Sequence, residues 1–134
     1  MIDLSQHHCQ HLAIHCVDFR FVRSLGQALH LKRVSFDLLT YPGASKALVD
    51  EDTRPVMLKA INIAVELHGV SIVDIVDHLN CGAFGGNELL NDHVASLRQA
   101  SEIIRDRFPA LEVHLYVADV DSHGELILHP VNLK

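Results

Sequence analysis

The chain has 134 residues, of which 49% are hydrophobic and 21% charged, a composition that excludes disordered, collagen-like and low-complexity proteins. The formal net charge of −6 argues against nucleic acid as a partner, and no apolar run approaches the roughly 18 residues of a membrane span. The length predicts a single domain over residues 1–134, and the lack of a secretory signal at the N-terminus predicts a cytoplasmic location.

The first half of the chain predicts two strands and two main helices. A short apolar strand at residues 11–17 precedes a helix at residues 19–31, and a second strand at residues 34–40 ends at a Tyr-Pro-Gly turn. Residues 46–53 are charged and predict a loop or a short helix. A clear helix begins at Arg54, with Pro55 in its first turn, and ends before Gly69.

The second half continues the alternation of strands and helices. A strand at residues 70–76 leads into a glycine-rich loop at residues 78–86, and a long helix from Leu90 ends before Pro109. A strand at residues 111–120 and a short final strand at residues 125–131 follow. This alternation predicts an α/β fold with a parallel sheet of about four strands in the order 2-1-3-4, helices on both faces and an antiparallel edge strand.

The predicted strand order brings several chemically active residues to one place. Ligands of doubly wound sheets bind beyond the carboxyl ends of the strands, where the strand order reverses. At or just past the end of the first strand lie Cys16, Asp18 and Arg20, and past the end of the third lie His78 and Cys81. Two thiolates and an imidazole are good zinc ligands and leave a fourth position open. The alternative is that each cysteine is only a small buried hydrophobe.

At these residues the sequence resembles the β-class carbonic anhydrases, over roughly residues 14–108. That family carries a Cys-x-Asp-x-Arg motif after its first core strand and a His-x-x-Cys-Gly motif after a later one. Here the two motifs read Cys16-Val17-Asp18-Phe19-Arg20 and His78-Leu79-Asn80-Cys81-Gly82. The resemblance implies Zn²⁺ bound by Cys16, His78 and Cys81. It also implies a catalytic pair in which Arg20 holds Asp18 away from the metal.

The activity that the resemblance implies is reversible hydration of CO₂ to bicarbonate by a zinc-bound hydroxide. Hydrolysis of a related heterocumulene, carbonyl sulfide or carbon disulfide, is an alternative that the apolar Val17 and Phe19 could suit. A zinc-binding or sensor protein without catalysis is the second alternative. The chain resembles a short, N-terminally truncated member, because the N-terminal helical arm and the pocket glutamine of the family have no counterpart. We expect a homodimer or a higher homo-oligomer.

Glycines near the two motifs are candidates for binding substrate or an anion. Gly43 lies in the turn after the second strand, and Gly82 lies in the loop after the third. Gly82 and the nearby Gly85 and Gly86 could present backbone N–H groups to an anion. They could equally serve to let the loop turn sharply over the metal.

Other histidines and the third cysteine carry weaker predictions. His15 is expected to be a core residue, while His93 and His123 are expected to be structural or exposed, with a proton shuttle as the alternative role. Near the N-terminus, four residues could bind metal adventitiously, but we favour a frayed and solvated segment: His7, His8, Cys9 and His11.

Overall fold

The computed structural model describes residues 1–31 and 34–134, and its elements follow the predicted alternation. Within these residues the strands are β1 to β5, at His11–His15, Phe36–Thr40, Ile72–His78, Glu112–Val120 and Leu126–Val131. The helices are α1 to α4, at Phe19–Leu31, Ser45–Val49, Arg54–His68 and Leu90–Arg107, with a single 3₁₀ turn at Gly82–Phe84. The charged segment at residues 46–53 therefore contains most of a short helix, α2.

The strands form one sheet in the order β2-β1-β3-β4-β5. β1 pairs with β2 and β3 in parallel, β3 pairs with β4 in parallel, and β5 runs antiparallel to β4 at the edge. The predicted order and the antiparallel edge strand are confirmed. Because the strand order reverses at β1, the carboxyl ends of β1 and β3 flank the point where doubly wound sheets bind ligands.

Helices cover both faces of the sheet and divide the core into two parts. The larger part lies under α2, α3 and α4, and the face of α3 that it buries carries Met57, Ile61 and Ala64, three or four residues apart. The smaller part lies under α1, where Phe21 and Leu25 pack with residues of β3 and β4. Side chains of β3 contribute to both parts of the core, because successive side chains of a strand point to opposite faces of the sheet.

The ends of α3 follow the predicted sequence signals. Pro55 lies in the first turn, and Gly69 ends the helix with a left-handed φ of 69° while its N–H donates to the Val65 carbonyl. In contrast, β3 begins and ends two residues later than predicted, at Ile72 and His78. The sequence pattern placed Asp77 and His78 near a polar loop, whereas the structure buries both at the end of β3. Their contacts are given with the candidate metal centre.

The prediction of a solvated N-terminal segment is wrong for Cys9. His7 and His8 are exposed, but only 7% of Cys9 is exposed. The Cys9 N–H donates to the carbonyl oxygen of His68 at 3.0 Å. The last carbonyls of a helix lack hydrogen-bond donors within the helix. In α3, one of these carbonyls accepts its hydrogen bond from the segment that leads into β1. This hydrogen bond fixes the backbone just before the sheet begins.

Two further predictions concern the chain as a whole. None of the helices in the described ranges is long and apolar enough to cross a membrane. The assignment of residues 1–134 to a single domain stays a prediction, although all the strands above belong to one sheet.

Candidate metal centre

The carboxyl ends of β1 and β3 bring the predicted metal ligands together. Cys16 directly follows β1, His78 is the last residue of β3, and Cys81 follows three residues later. One ligand atom from each residue lies within 4.8 Å of the other two, and all three residues are buried. The sequence separates Cys16 from the other two by more than sixty positions, so the parallel pairing of β1 with β3 creates this cluster.

The imidazole of His78 is prepared to bind a cation. Its Nδ1 donates to the carbonyl oxygen of Leu79 at 2.8 Å, which leaves a lone pair on Nε2. This Nε2 atom is buried and has no hydrogen-bond partner among the residues that the structure describes. The ring is held by stacking on Phe21, with centroids 4.5 Å apart. A buried acceptor nitrogen beside two thiols fits Zn²⁺, which binds thiolate and imidazole.

The two thiols differ in their surroundings. The backbone N–H of Gly43 donates to Cys16 Sγ at 3.5 Å. Burial, with a smaller contribution from the neighbouring Cys16, raises the pKa of the Cys81 thiol to about 11, against the opposing effect of backbone N–H groups of the following turn. The thiolate is the form that binds metal. A zinc ion must therefore displace a proton from Cys81, and its affinity should fall as the pH falls.

Asp18 and Arg20 form a tight ion pair at the edge of this cluster. Arg20 donates from Nη2 to Asp18 Oδ2 at 2.7 Å and from Nε to Oδ1 at 3.0 Å, and its backbone N–H also donates to Oδ1. Hydrogen bonding to this guanidinium lowers the pKa of Asp18 to about 2. Asp18 Oδ2 lies 3.7 Å from His78 Nε2. An ionised carboxylate thus stands beside the ligand set and is held there by the arginine.

Asn80 secures the other side of Arg20, a role that sequence reasoning missed. The guanidinium donates to Asn80 Oδ1 at 2.8 Å and to the Asn80 carbonyl oxygen at 2.9 Å, and Asn80 Nδ2 donates to the Gly86 carbonyl. Asn80 adopts a φ of 58°, a left-handed conformation in which asparagine is enriched among non-glycine residues. The asparagine between His78 and Cys81 was the available signal, because it places a polar side chain inside the ligand loop.

A buried chain of two carboxylates and one histidine supports the ligand loop. His93 on α4 contacts Asp77 Oδ2 through Nδ1 and Glu88 Oε1 through Nε2, both at 2.8 Å. Glu88 Oε1 also accepts the backbone N–H of Cys81 at 2.7 Å, and Asp77 directly precedes His78. Both ligands of the second motif are therefore attached to one network. Burial lowers the pKa of His93, but its two carboxylate partners outweigh burial and raise the pKa above its usual value.

The network extends to α2 and gives His93 a structural place, one of the outcomes that the sequence predicted for it. Ser45 donates to Asp77 through its backbone N–H at 3.0 Å and through Oγ at 2.6 Å. Because His93 is fully buried and both its nitrogens contact carboxylates, it is a structural residue and not one open to solvent. His123 is exposed in a turn, and His15 is a core residue, as predicted, whose Nδ1 donates to the Cys16 carbonyl.

The His93→Ala variant should lose about 3–5 kcal/mol of stability at pH 6, because it leaves two buried carboxylates without their counter-charge. The folded-state pKa of His93 is raised, so its contribution is complete below the unfolded pKa of about 6.5 and declines as the pH rises through the folded value. Denaturant unfolding at equal zinc saturation should therefore show a smaller difference from wild type at pH 9 than at pH 6. The exposed His123→Ala variant is the control, and a pH-independent difference would contradict a charged His93.

The family to which the chain belongs follows from comparison with known proteins. The family described as "Putative carbonic anhydrase" matches residues 6–127. The chain belongs to this family. Two relatives are uncharacterized proteins of Rickettsia: that of Rickettsia conorii is 32% identical over 131 residues, which cover 87% of this chain and 70% of that protein. That of Rickettsia bellii is 30% identical over 138 residues, covering 90% and 84%.

The fold of this carbonic-anhydrase family member agrees with that of a solved β-carbonic anhydrase. The crystal structure of β-carbonic anhydrase isoform I from Trichomonas vaginalis superposes with a TM-score of 0.62 at 15% sequence identity. The match covers 96% of this chain and 86% of that one. The resemblance recognised from the two motifs is thereby confirmed for the family and the fold.

The two candidate anion-binding glycines of this family member have different surroundings. Gly43 has a φ of 81°, and a Cβ atom there would lie 3.0 Å from the Ala83 side chain, so both the backbone and the space require glycine. Its N–H is directed at Cys16 Sγ, as described above. Gly82 begins the 3₁₀ turn and has open space where a side chain would lie. Binding of substrate or an anion by either glycine stays a prediction.

Proposed function

We propose that the protein is a zinc-dependent carbonic anhydrase that reversibly hydrates CO₂ to bicarbonate. The observation that supports this proposal most strongly is the buried Nε2 of His78, which has no hydrogen-bond partner in the described part of the chain and lies beside the thiols of Cys16 and Cys81. Three ligands of this kind leave the fourth position of a tetrahedral ion available for chemistry. Asp18, whose Oδ2 lies 3.7 Å from His78 Nε2, is already engaged by Arg20 and does not fill that position.

The residues around the cluster have separable roles in this proposal. Zinc held by Cys16, His78 and Cys81 would lower the pKa of a water molecule, so that hydroxide is available near neutral pH. Asp18 remains ionised throughout that range and can accept a hydrogen bond from the nucleophile, which orients a lone pair towards the carbon of CO₂. Arg20 fixes the Asp18 carboxylate through two donors, and this contact keeps the carboxylate in its positioning role.

Hydrolysis of carbonyl sulfide or carbon disulfide is the second candidate function. Val17 and Phe19 flank Asp18, and they are 48% and 87% exposed. Apolar side chains beside the substrate would suit a sulfur-containing heterocumulene better than hydrated polar side chains would. The same nucleophile would serve both reactions, so the two substrates must be compared directly.

Stopped-flow assays of CO₂ hydration and of carbonyl sulfide hydrolysis by the zinc-loaded protein test this proposal. We expect kcat/KM to rise with pH through a single step, because Asp18 has a pKa of about 2 and does not titrate in that range. The Asp18→Ala variant should retain zinc and lose activity by about 10²-fold, as expected for a positioning group. If the zinc-loaded wild type shows no activity with either substrate from about pH 6.5 to 9, the enzyme proposal is wrong and the chain is a zinc-binding protein without catalysis.

A homodimer or higher homo-oligomer and a cytoplasmic location remain proposals. The exposed apolar residues beside the site and the unpaired edge of β5 are surfaces that a second copy could cover. Light scattering at micromolar concentration measures the assembly, and a clean monomer would contradict it. Nucleic acid and membrane are not among the proposed partners.

A further inference from the structure

A second cluster of metal-binding side chains lies at the opposite end of β1 from the candidate zinc centre. It consists of Cys9 just before β1, Asp37 on β2 and His68 at the end of α3. One ligand atom from each residue lies within 4.8 Å of the other two. Cys16 follows the carboxyl end of β1, so the two clusters are separated by the length of that strand and share no residue.

Backbone pairing and a side-chain hydrogen bond hold these three residues together. The Cys9 N–H donates to the His68 carbonyl at 3.0 Å, which ties the N-terminal segment to α3. Asp37 lies opposite Leu12 in the parallel pairing of β1 with β2. His68 Nδ1 donates to the two carboxylate oxygens of Asp37 at 2.7 and 2.9 Å. Three elements that are distant in sequence thus converge before any metal binds.

The donor set indicates the class of ion. Sulfur, nitrogen and a single carboxylate suit Zn²⁺ and similar divalent transition metals, whereas Ca²⁺ and Mg²⁺ require oxygen ligands. Metal–ligand distances of about 2.0–2.3 Å place tetrahedral ligand atoms about 3.3–3.8 Å apart, which small side-chain rotations can reach from the observed separations. We propose that Cys9, Asp37 and His68 form a second metal site, which binds a divalent ion of the zinc class.

Charge and access favour this site. A thiolate and a carboxylate together neutralise a divalent cation, and the cation removes the repulsion between these two groups. Asp37 and His68 also line an open cleft of about 250 Å³, which offers a path from solvent. The ion would fasten the N-terminal segment to the sheet and to α3.

Cobalt binding to the full chain tests the second site. In the Cys16→Ser/Cys81→Ser double variant, Cys9 is the remaining one of the chain's three cysteines. We expect this variant to bind one equivalent of Co²⁺ at micromolar metal with a thiolate-to-cobalt charge-transfer band. Adding Cys9→Ser should abolish the band, and adding His68→Ala should weaken cobalt binding at least about tenfold. Circular dichroism establishes that each variant is folded.

Further measurements separate this site from adventitious binding and from the proposed zinc centre. Wild-type protein should bind two equivalents of metal, and the single variants Cys9→Ser and His68→Ala should each bind one and keep their carbonic anhydrase activity if the wild type has it. His7→Ala is the control, because His7 is exposed and lies outside the cluster. One equivalent in wild type, no thiolate band in the double variant, or a second equivalent that depends on His7 and not on Cys9 would each overturn the proposal.

Discussion

The Arg20→Ala variant should lose at least about 10²-fold in kcat/KM while it keeps its fold and its zinc. Arg20 contributes two side-chain donors to Asp18 and bridges to Asn80 on the ligand loop. Without the guanidinium, the Asp18 carboxylate is free to turn towards His78 Nε2, which is only 3.7 Å from Oδ2. As a fourth protein ligand it would occupy the position that the reaction needs.

Two control variants separate the effect of losing the ion pair from a loss of fold or of zinc. The Arg20→Lys variant keeps the charge but cannot form the two-donor contact, so it should recover only a small part of the activity. Arg23→Ala removes another arginine of α1, one that is exposed, and should leave activity and zinc content unchanged. Zinc content, circular dichroism and kcat/KM are measured for each variant. Full activity in Arg20→Ala would show that Asp18 does not depend on its arginine.

The Cys81→Ser variant should lose the zinc ion of the candidate centre and all measurable activity. A neutral hydroxyl replaces a thiolate, and the remaining Cys16 and His78 are too few to retain the ion at ordinary zinc concentrations. Zinc that binds only the folded state stabilises it by about 4 kcal/mol at a thousandfold excess over Kd, and this increment should disappear from the free energy of unfolding. Elemental analysis and denaturant unfolding with and without zinc provide the two measurements.

Cys9→Ser is the matched control for Cys81→Ser, since it replaces a buried cysteine outside the candidate zinc centre. It should keep the zinc of that centre and the activity that depends on it. A Cys81→Ser protein that retains the zinc of this centre would refute the ligand assignment. Equal loss of activity in both variants would instead indicate a general effect of replacing a buried thiol.

The local pattern of the sequence was sufficient to predict the order of elements and the sheet. Apolar periodicities of two and of three to four residues separate strands from helices, and the alternation of the two leaves few topologies. The strand order, in turn, predicted that Cys16 would meet His78 and Cys81, because parallel neighbours end at the same edge. The predicted end of β3 was two residues early because buried polar residues there looked like the beginning of a loop.

Only the tertiary structure decided how these residues are supported. The contact of Asn80 with Arg20 depends on a left-handed turn, and the contacts of His93 with Asp77 and Glu88 depend on how α4 lies against β3.

The cluster of Cys9 with Asp37 and His68 likewise requires the start of β1, the strand β2 and the end of α3 to converge. Periodicity along the chain reports which face of one element is buried, but it carries no information about which polar side chain of a distant element will lie opposite. The sequence by itself therefore determined the family, the sheet and the residues that meet at its switch point. Packing between distant elements decided the hydrogen-bond networks that hold those residues in place.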